Sequence, residues 1–179
     1  LPRATGSWVY GRGIASALKN VGYGFGFDDH ATARVTMTAD GATVLVGAAE
    51  VGQGVVTVLT QIAAETLGLA PARVRLVWQD TAEVPEAGSS SASRQTFVSG
   101  NAVRRACELA RRAVDALGPR AVLARDGLAT TYTFHVPKTQ PLAHPRPSRH
   151  AYAYAWSTCV VDLGVDTATG QVRVVRVVT

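Results

Sequence analysis

The chain has 179 residues, 47% hydrophobic and 17% charged, which is enough apolar surface for one proper core and excludes a disordered chain. One domain is therefore expected. The net charge of +5 and pI near 9.7 come from scattered arginines, in Arg104-Arg105, Arg111-Arg112 and the Arg146 to Arg149 stretch, without interleaved aromatics, so no nucleic-acid partner is expected.

Leu1 to Trp8 is polar and reads as extended. Gly11 to Gly26 is glycine-rich, and Tyr23, Phe25 and Phe27 alternate with glycine. No helix-opening Gly-x-Gly-x-x-Gly follows a strand here, so the dinucleotide fingerprint fails. A half-exposed strand whose aromatics pack on the core is one reading. Ala31 to Thr38 alternates apolar and polar residues, the pattern of a half-buried strand. Ala39-Asp40-Gly41 supplies a hairpin turn, and Thr43 to Gly47 returns as the partner strand.

The loop Glu50-Val51-Gly52-Gln53-Gly54 then opens a helix expected over Val55 to Gly68. Its apolar stripe is Val55, Val58, Leu59, Ile62 and Leu67 at spacings of three and four, and Gly68 and Pro71 mark its end. Arg73 to Trp78 reads as a strand, followed by Asp80-Thr81, Val84-Pro85 and the serine loop Gly88 to Thr96. A second helix is expected over Val98 to Leu117, with Ala102, Ala106, Leu109, Ala113 and Leu117 on its apolar stripe and Gly118-Pro119 at its end. Asp80 and Glu83 suit a capping or turn role better than an acid–base pair.

The two loops are thus equivalent parts of successive strand-loop-helix units. Each ends at a helix start, where backbone N–H groups lack partners and the macrodipole places positive charge. Two such starts on one sheet edge would make an anion site suited to a phosphate. Gly52 and Gly54 allow close approach of a ligand to the main chain, Gln53 offers an amide, and Ser89, Ser90, Ser91 and Ser93 offer hydroxyls. Plain turn and N-cap chemistry is the competing reading of each loop taken alone.

Thr130 to Val136 reads as a further strand, and the proline-rich stretch 137–150 as an irregular arm. Arms of that length are usually functional or mobile. Tyr152 to Val165 and Gln171 to Val178, joined by Asp166 to Gly170, form a final hairpin. The expected fold class is α+β: a mixed sheet with helices packed on it, plus this C-terminal hairpin. Cys107 and Cys159 read as buried thiols. His30, His135, His144 and His150 show no ligand spacing and read as structural or surface residues. A signal peptide and an apolar run of about twenty residues are both lacking, so a soluble, cytoplasmic protein without a membrane partner is expected. The chain starts without methionine and stops inside an alternating strand, which suggests a fragment of a longer protein.

Several of these segments in order, Glu50-Val51-Gly52-Gln53-Gly54, Thr57, Gln61 to Gly68, Asp80-Thr81, Val84-Pro85, Gly88 to Arg94 and Gly100-Asn101-Ala102-Val103, resemble the molybdenum-cofactor-binding subunit of the xanthine dehydrogenase and aldehyde oxidase family. The likeness extends from Gly11-Arg12-Gly13-Ile14-Ala15 to Val165-Asp166-Thr167-Ala168-Thr169-Gly170. It implies one partial molybdenum-cofactor-binding domain over 1–179. In that domain Val51, Gly52, Gln53 and Gly54, with Ser91, Ala92, Ser93, Arg94 and Gln95, would hold the pterin and phosphate of a molybdenum–molybdopterin group. Arg94, bulky among small residues, would either pair with the phosphate or point to solvent; Gln95 is the better contact.

The resemblance further implies a molybdenum hydroxylase acting on a small heterocycle or aldehyde. Its partners would be the remaining segments of the molybdenum subunit and iron–sulfur and FAD domains or subunits. The glycine-rich segment and the 137–150 arm would lie on the substrate side. The family's glutamate base would lie beyond Thr179 and its phenylalanine-glycine-glycine loop before Leu1, so no residue of this chain is expected to be catalytic, nor any to ligate the metal. A non-catalytic scaffold or interaction module derived from the same fold is the alternative.

Overall fold

The computed structural model describes residues 1–118, 127–143 and 149–179. Pro119 and the His144 to Ser148 part of the arm lie outside them. Among the described residues the order is β1 (Trp8–Val21), β2 (His30–Thr38), β3 (Gly41–Leu45), α1 (Val55–Leu67), β4 (Val74–Val77), α2 (Gln95–Leu117), β5 (Leu128–His135), β6 (Ala153–Asp166) and β7 (Val172–Val178). Where length alone suggests one domain, the chain divides into two compact units, Asn20–Ala153 and Leu1–Lys19 with Tyr154–Thr179.

The Asn20–Ala153 unit is built on a mixed sheet of order β4-β3-β2-β5. β2 pairs antiparallel with β3 and β5, while β3 and β4 run parallel because α1 crosses between them. Alternation in β2 sends Ala31, Ala33 and Val35 to the core, where β2 packs against α2. This is the expected α+β arrangement of strand-loop-helix units.

The helices bury slightly different stripes from those expected. In α1, Val55, Leu59, Ala63 and Ala64 are buried, while Val58 is half-buried. In α2 the buried face is Val98, Ser99, Ala102, Val103, Ala106, Cys107 and Ala110, whereas Leu109 and Leu117 are exposed. The reason is steric. α2 lies so close to α1 that a Cβ on Gly100 would come within 3.0 Å of Ile62 Cδ1, and small side chains take the contact while the leucines turn outward. Burial, and secondarily the neighbouring Glu108, pushes the Cys107 thiol up to about 12, so it is an inert core thiol. Cys159 is only half-buried.

β1 ends at Val21, so the segment from Gly22 to Phe27 is a turn-rich loop rather than the strand considered from its alternation. Phe27 is exposed and Tyr23 lies over a guanidinium instead of packing in the core. The described part of the arm is tied to this loop: Gly26 N–H donates to Thr139 Oγ1 (3.0 Å) and Phe25 N–H to His150 O (2.6 Å). Asp80 has the turn role expected of it, its Oδ1 accepting Ala82 N–H.

The second unit is a three-stranded sheet of order β1-β6-β7 that contains the expected C-terminal hairpin. Arg12 grips Asp162 through Nε and Nη2 at 2.6 and 2.9 Å, which holds the Asp162 carboxyl below its ordinary range. Asp166 shapes the hairpin turn by accepting from Ala168 N–H and the Thr169 hydroxyl.

Candidate functional site: two loops at one sheet edge

β3 and β4 are parallel neighbours, so the loops that follow them leave from the same edge of the sheet. Geometry brings them into contact. Ser90 Oγ from the serine loop donates to Ala49 O (2.7 Å), and Gln53 Nε2 from the first loop donates to the same oxygen (3.0 Å). Gln95 Nε2 donates to Ser90 Oγ (3.1 Å), and Ser99 Oγ donates to Gln95 Oε1. One relay therefore runs from the buried face of α2 through the serine loop into the first loop. Between the loops lies an open cleft of about 370 Å³ lined by Val51, Gln53, Val55, Ser90, Ser91, Ser93, Arg94, Gln95 and Thr96.

The two helix starts are not alike. Gly52 and Gly54 adopt positive φ of 98° and 78°, a conformation that glycine takes without penalty, and the loop they form wraps the Glu50 carboxylate. Glu50 Oε1 accepts Gly52 N–H (2.8 Å) and Gly54 N–H (2.9 Å), and Oε2 accepts Val56 N–H (3.1 Å). The anion seat expected at α1 is thus filled by the chain's own carboxylate. These amides, Gly54 first and then Val56, hold the Glu50 carboxyl below its ordinary range. Gln53 is likewise folded back, its Oε1 accepting Val51 N–H at 2.7 Å.

A depressed carboxyl gives a signed expectation. The Glu50 contribution is present above the unfolded value of about 4.3 and is lost as pH falls through the lower folded value. The amide resonances of Gly54 and Val56 should titrate together with a midpoint below the ordinary glutamate value, and Glu50→Gln should abolish that titration. A shared midpoint at or above the ordinary value would contradict the bonding described.

α2 begins three residues before the expected Val98, at Gln95, and carries no side-chain cap. Gln95 is only 6% exposed, and its buried amide is satisfied by Ser90 and Ser99. Ala92 and Ser93 both have left-handed φ, 51° and 53°. That is an uncommon state for residues other than glycine, and it is held by Gly22 N–H donating to Ala92 O (2.9 Å). Tyr23 OH and Ser91 Oγ each reach Ser89 Oγ, at 2.7 and 3.1 Å.

Arg94 does not point to solvent, one of the two things expected of it. Its side chain is buried at 1% exposure, beneath the serine loop. Nε donates to Asp29 Oδ1 (2.8 Å), Nη2 to Asp29 and to His30 O (2.6 Å), and Nη1 to Ala87 O and Ser89 O. Asp29 Oδ2 accepts Tyr23 N–H (2.9 Å). Only the fork of a guanidinium serves so many acceptors in one plane, so a large cation sits in a run of small residues as the scaffold of the loop. Sequence reasoning missed Asp29, the Glu50 cap and Tyr23. The doublet Asp28-Asp29 is visible, but nothing local to it points at Arg94.

The sequence pattern of the molybdopterin cofactor-binding domain matches residues 2–122. The chain belongs to that family. Two similar proteins are a probable xanthine dehydrogenase subunit of Bacillus subtilis, 32% identical over 92% of this chain and 26% of its own length, and the aldehyde oxidoreductase of Megalodesulfovibrio gigas, 35% identical over 54% of this chain and 11% of its own. This member of the family therefore spans about a quarter or less of the length of these relatives. Among solved structures, the aldehyde oxidoreductase of Desulfovibrio desulfuricans superposes with a TM-score of 0.80 at 23% identity, covering 98% of this chain and 20% of that one. The Desulfovibrio gigas enzyme gives 0.79 at 25% identity, covering 97% and 20%.

Proposed function

We propose that this chain supplies one wall of the seat for a molybdenum–molybdopterin group in a molybdenum hydroxylase of the xanthine dehydrogenase or aldehyde oxidase type. The observation that carries the reading is the cleft between the two sutured loops, in a member of the molybdopterin cofactor-binding family. The donor set fits a phosphorylated, hydrogen-bonding ligand. Ser91 and Ser93 supply hydroxyls, Ser90 sutures its loop to Ala49, the uncapped start of α2 supplies amides beside Gln95 and Thr96, and Gly52 and Gly54 leave open space where a Cβ would stand.

The grip differs from a symmetric pair of helix starts. Glu50 occupies the amides of α1, and Arg94 is neutralised by Asp29, so a phosphate would be held at the α2 start by neutral donors. Hydrogen bonds from oriented amides and hydroxyls to a charged acceptor are stronger than those between neutral groups. Gln53, pinned by Ala49 and Val51, keeps a second amide hydrogen for the pterin edge.

When bound, the group supplies the hard redox chemistry, insertion of water-derived oxygen into a carbon–hydrogen bond. The share of this chain is to bind and orient it; no residue of the cleft is assigned a proton transfer. Iron–sulfur and FAD centres, the remaining molybdenum-subunit segments, a heterocyclic or aldehyde substrate and a cytoplasmic location belong to the same proposal.

In protein purified from a cofactor-producing host, Gln53→Ala and Ser90→Ala should each lower molybdenum and pterin content severalfold with the fold intact by circular dichroism. Unchanged molybdenum and pterin in both variants would overturn the assignment and favour a scaffold without a cofactor role.

A further inference from the structure

Outside the cleft, the register of the sheet creates a juxtaposition that sequence spacing did not show. His30 and His135 are directly paired residues of β2 and β5. Directly opposed residues of an antiparallel pair project on the same face, and their rings lie 5.3 Å apart, inclined by 30°. Asp28, two residues before His30, brings Oδ2 to 3.3 Å from His30 Nδ1. One ligand atom from each of the three side chains lies within 4.8 Å of the others.

We propose that Asp28, His30 and His135 form a binding site for one divalent cation of the Zn2+ class. Two imidazoles and one carboxylate are the donor set of borderline transition ions, not of Ca2+ or Mg2+, which take oxygen ligands. Ligands at about 2.0–2.1 Å from a tetrahedral ion stand roughly 3.3 Å from one another, and the Asp28–His30 pair already has that spacing. His135 closes the remaining gap by rotating its exposed ring, and water completes the shell.

The backbone beneath is pinned by hydrogen bonds, as a pre-organised site requires. Arg94 binds Asp29 and His30 O from the core side, and Val136 N–H donates to Asp29 O at 2.8 Å. Residues on both sides of the imidazoles are therefore held by bonds that do not involve the ligating side chains. β5 is the edge strand of its sheet, so the ion would fasten its end to β2 where the 137–150 arm leaves.

The test is titration of the cofactor-free protein with Zn2+ alone, followed by calorimetry and thermal melting, with Co2+ absorption as a probe of geometry. Expected are one ion per chain, a higher melting temperature at saturating metal, and visible Co2+ bands of a low-coordinate nitrogen–oxygen site. His135→Ala, exposed and outside the core, should weaken binding more than about tenfold, since even outer-shell changes cost that much; Asp28→Asn should weaken it less. His150→Ala, whose Nδ1 contacts Gln140 O, should leave the affinity unchanged. No saturable binding would overturn the proposal. So would binding that survives both His30→Ala and His135→Ala, or that is lost equally in His150→Ala.

Discussion

Arg94→Met should destabilise the Asn20–Ala153 unit by about 3–5 kcal/mol, the usual cost of removing one partner from a buried ion pair. The arginine and Asp29 side chains are 0% and 2% exposed, so the substitution strands an anion in the core together with the carbonyls of Ala87, Ser89 and His30. Arg94→Lys keeps the charge but not the fork, and should recover only part of the loss. The double variant Arg94→Met/Asp29→Asn should be less destabilised than Arg94→Met, because the uncompensated charge is gone. Urea denaturation of the three variants checks this. Equal stability of Arg94→Met and the unmodified protein would mean that the pair does not organise the loop. The consequence for function is indirect: Arg94 holds Ala87 and Ser89, and Ser90 and Ser91 reach the cleft only while that loop keeps its shape.

Leu59→Ala comes next in size, with an expected loss of about 2–5 kcal/mol for a core leucine whose cavity closes incompletely. Leu59 is 0% exposed, and the close approach of α1 to α2 at Gly100 leaves neighbours little freedom to collapse inward. Because α1 and α2 carry the two loops, loosening their crossing should also blur the cleft. Chemical denaturation measures the stability. Amide exchange at Gly54 and Thr96 measures the loops, and both positions should exchange faster than in the unmodified protein. A Leu59→Ala protein of unchanged stability would place the core elsewhere.

Much of the fold was legible because it rests on local chemistry. Alternation in Ala31 to Thr38, the turn at Ala39-Asp40-Gly41, and helices closed by Gly68 and Gly118 all encode their structure within a few residues, and the observed elements follow them closely. The site was half legible. The pairing of Glu50 to Gly54 with the serine loop follows from two strand-loop-helix units in series, and the parallel β3–β4 contact brings their loops to one edge. What the loops do with their donors was not readable, since Glu50, Gln53 and Gln95 each have several partners within reach and only three-dimensional competition selects among them.

By itself, then, the order of residues determined the α+β class, the two loops, and the likeness to a molybdenum-cofactor-binding family, because periodicity, turn chemistry and motif order are properties of neighbours along the chain. Tertiary structure alone decided that Arg94 lies under the serine loop against Asp29, that Glu50 fills the α1 start, and that His30 faces His135. Each of these joins groups whose meeting depends on strand register or on the path of a loop, and burial, which turns a charge from a solvent contact into a scaffold, exists only once the sheet and its helices have closed around it.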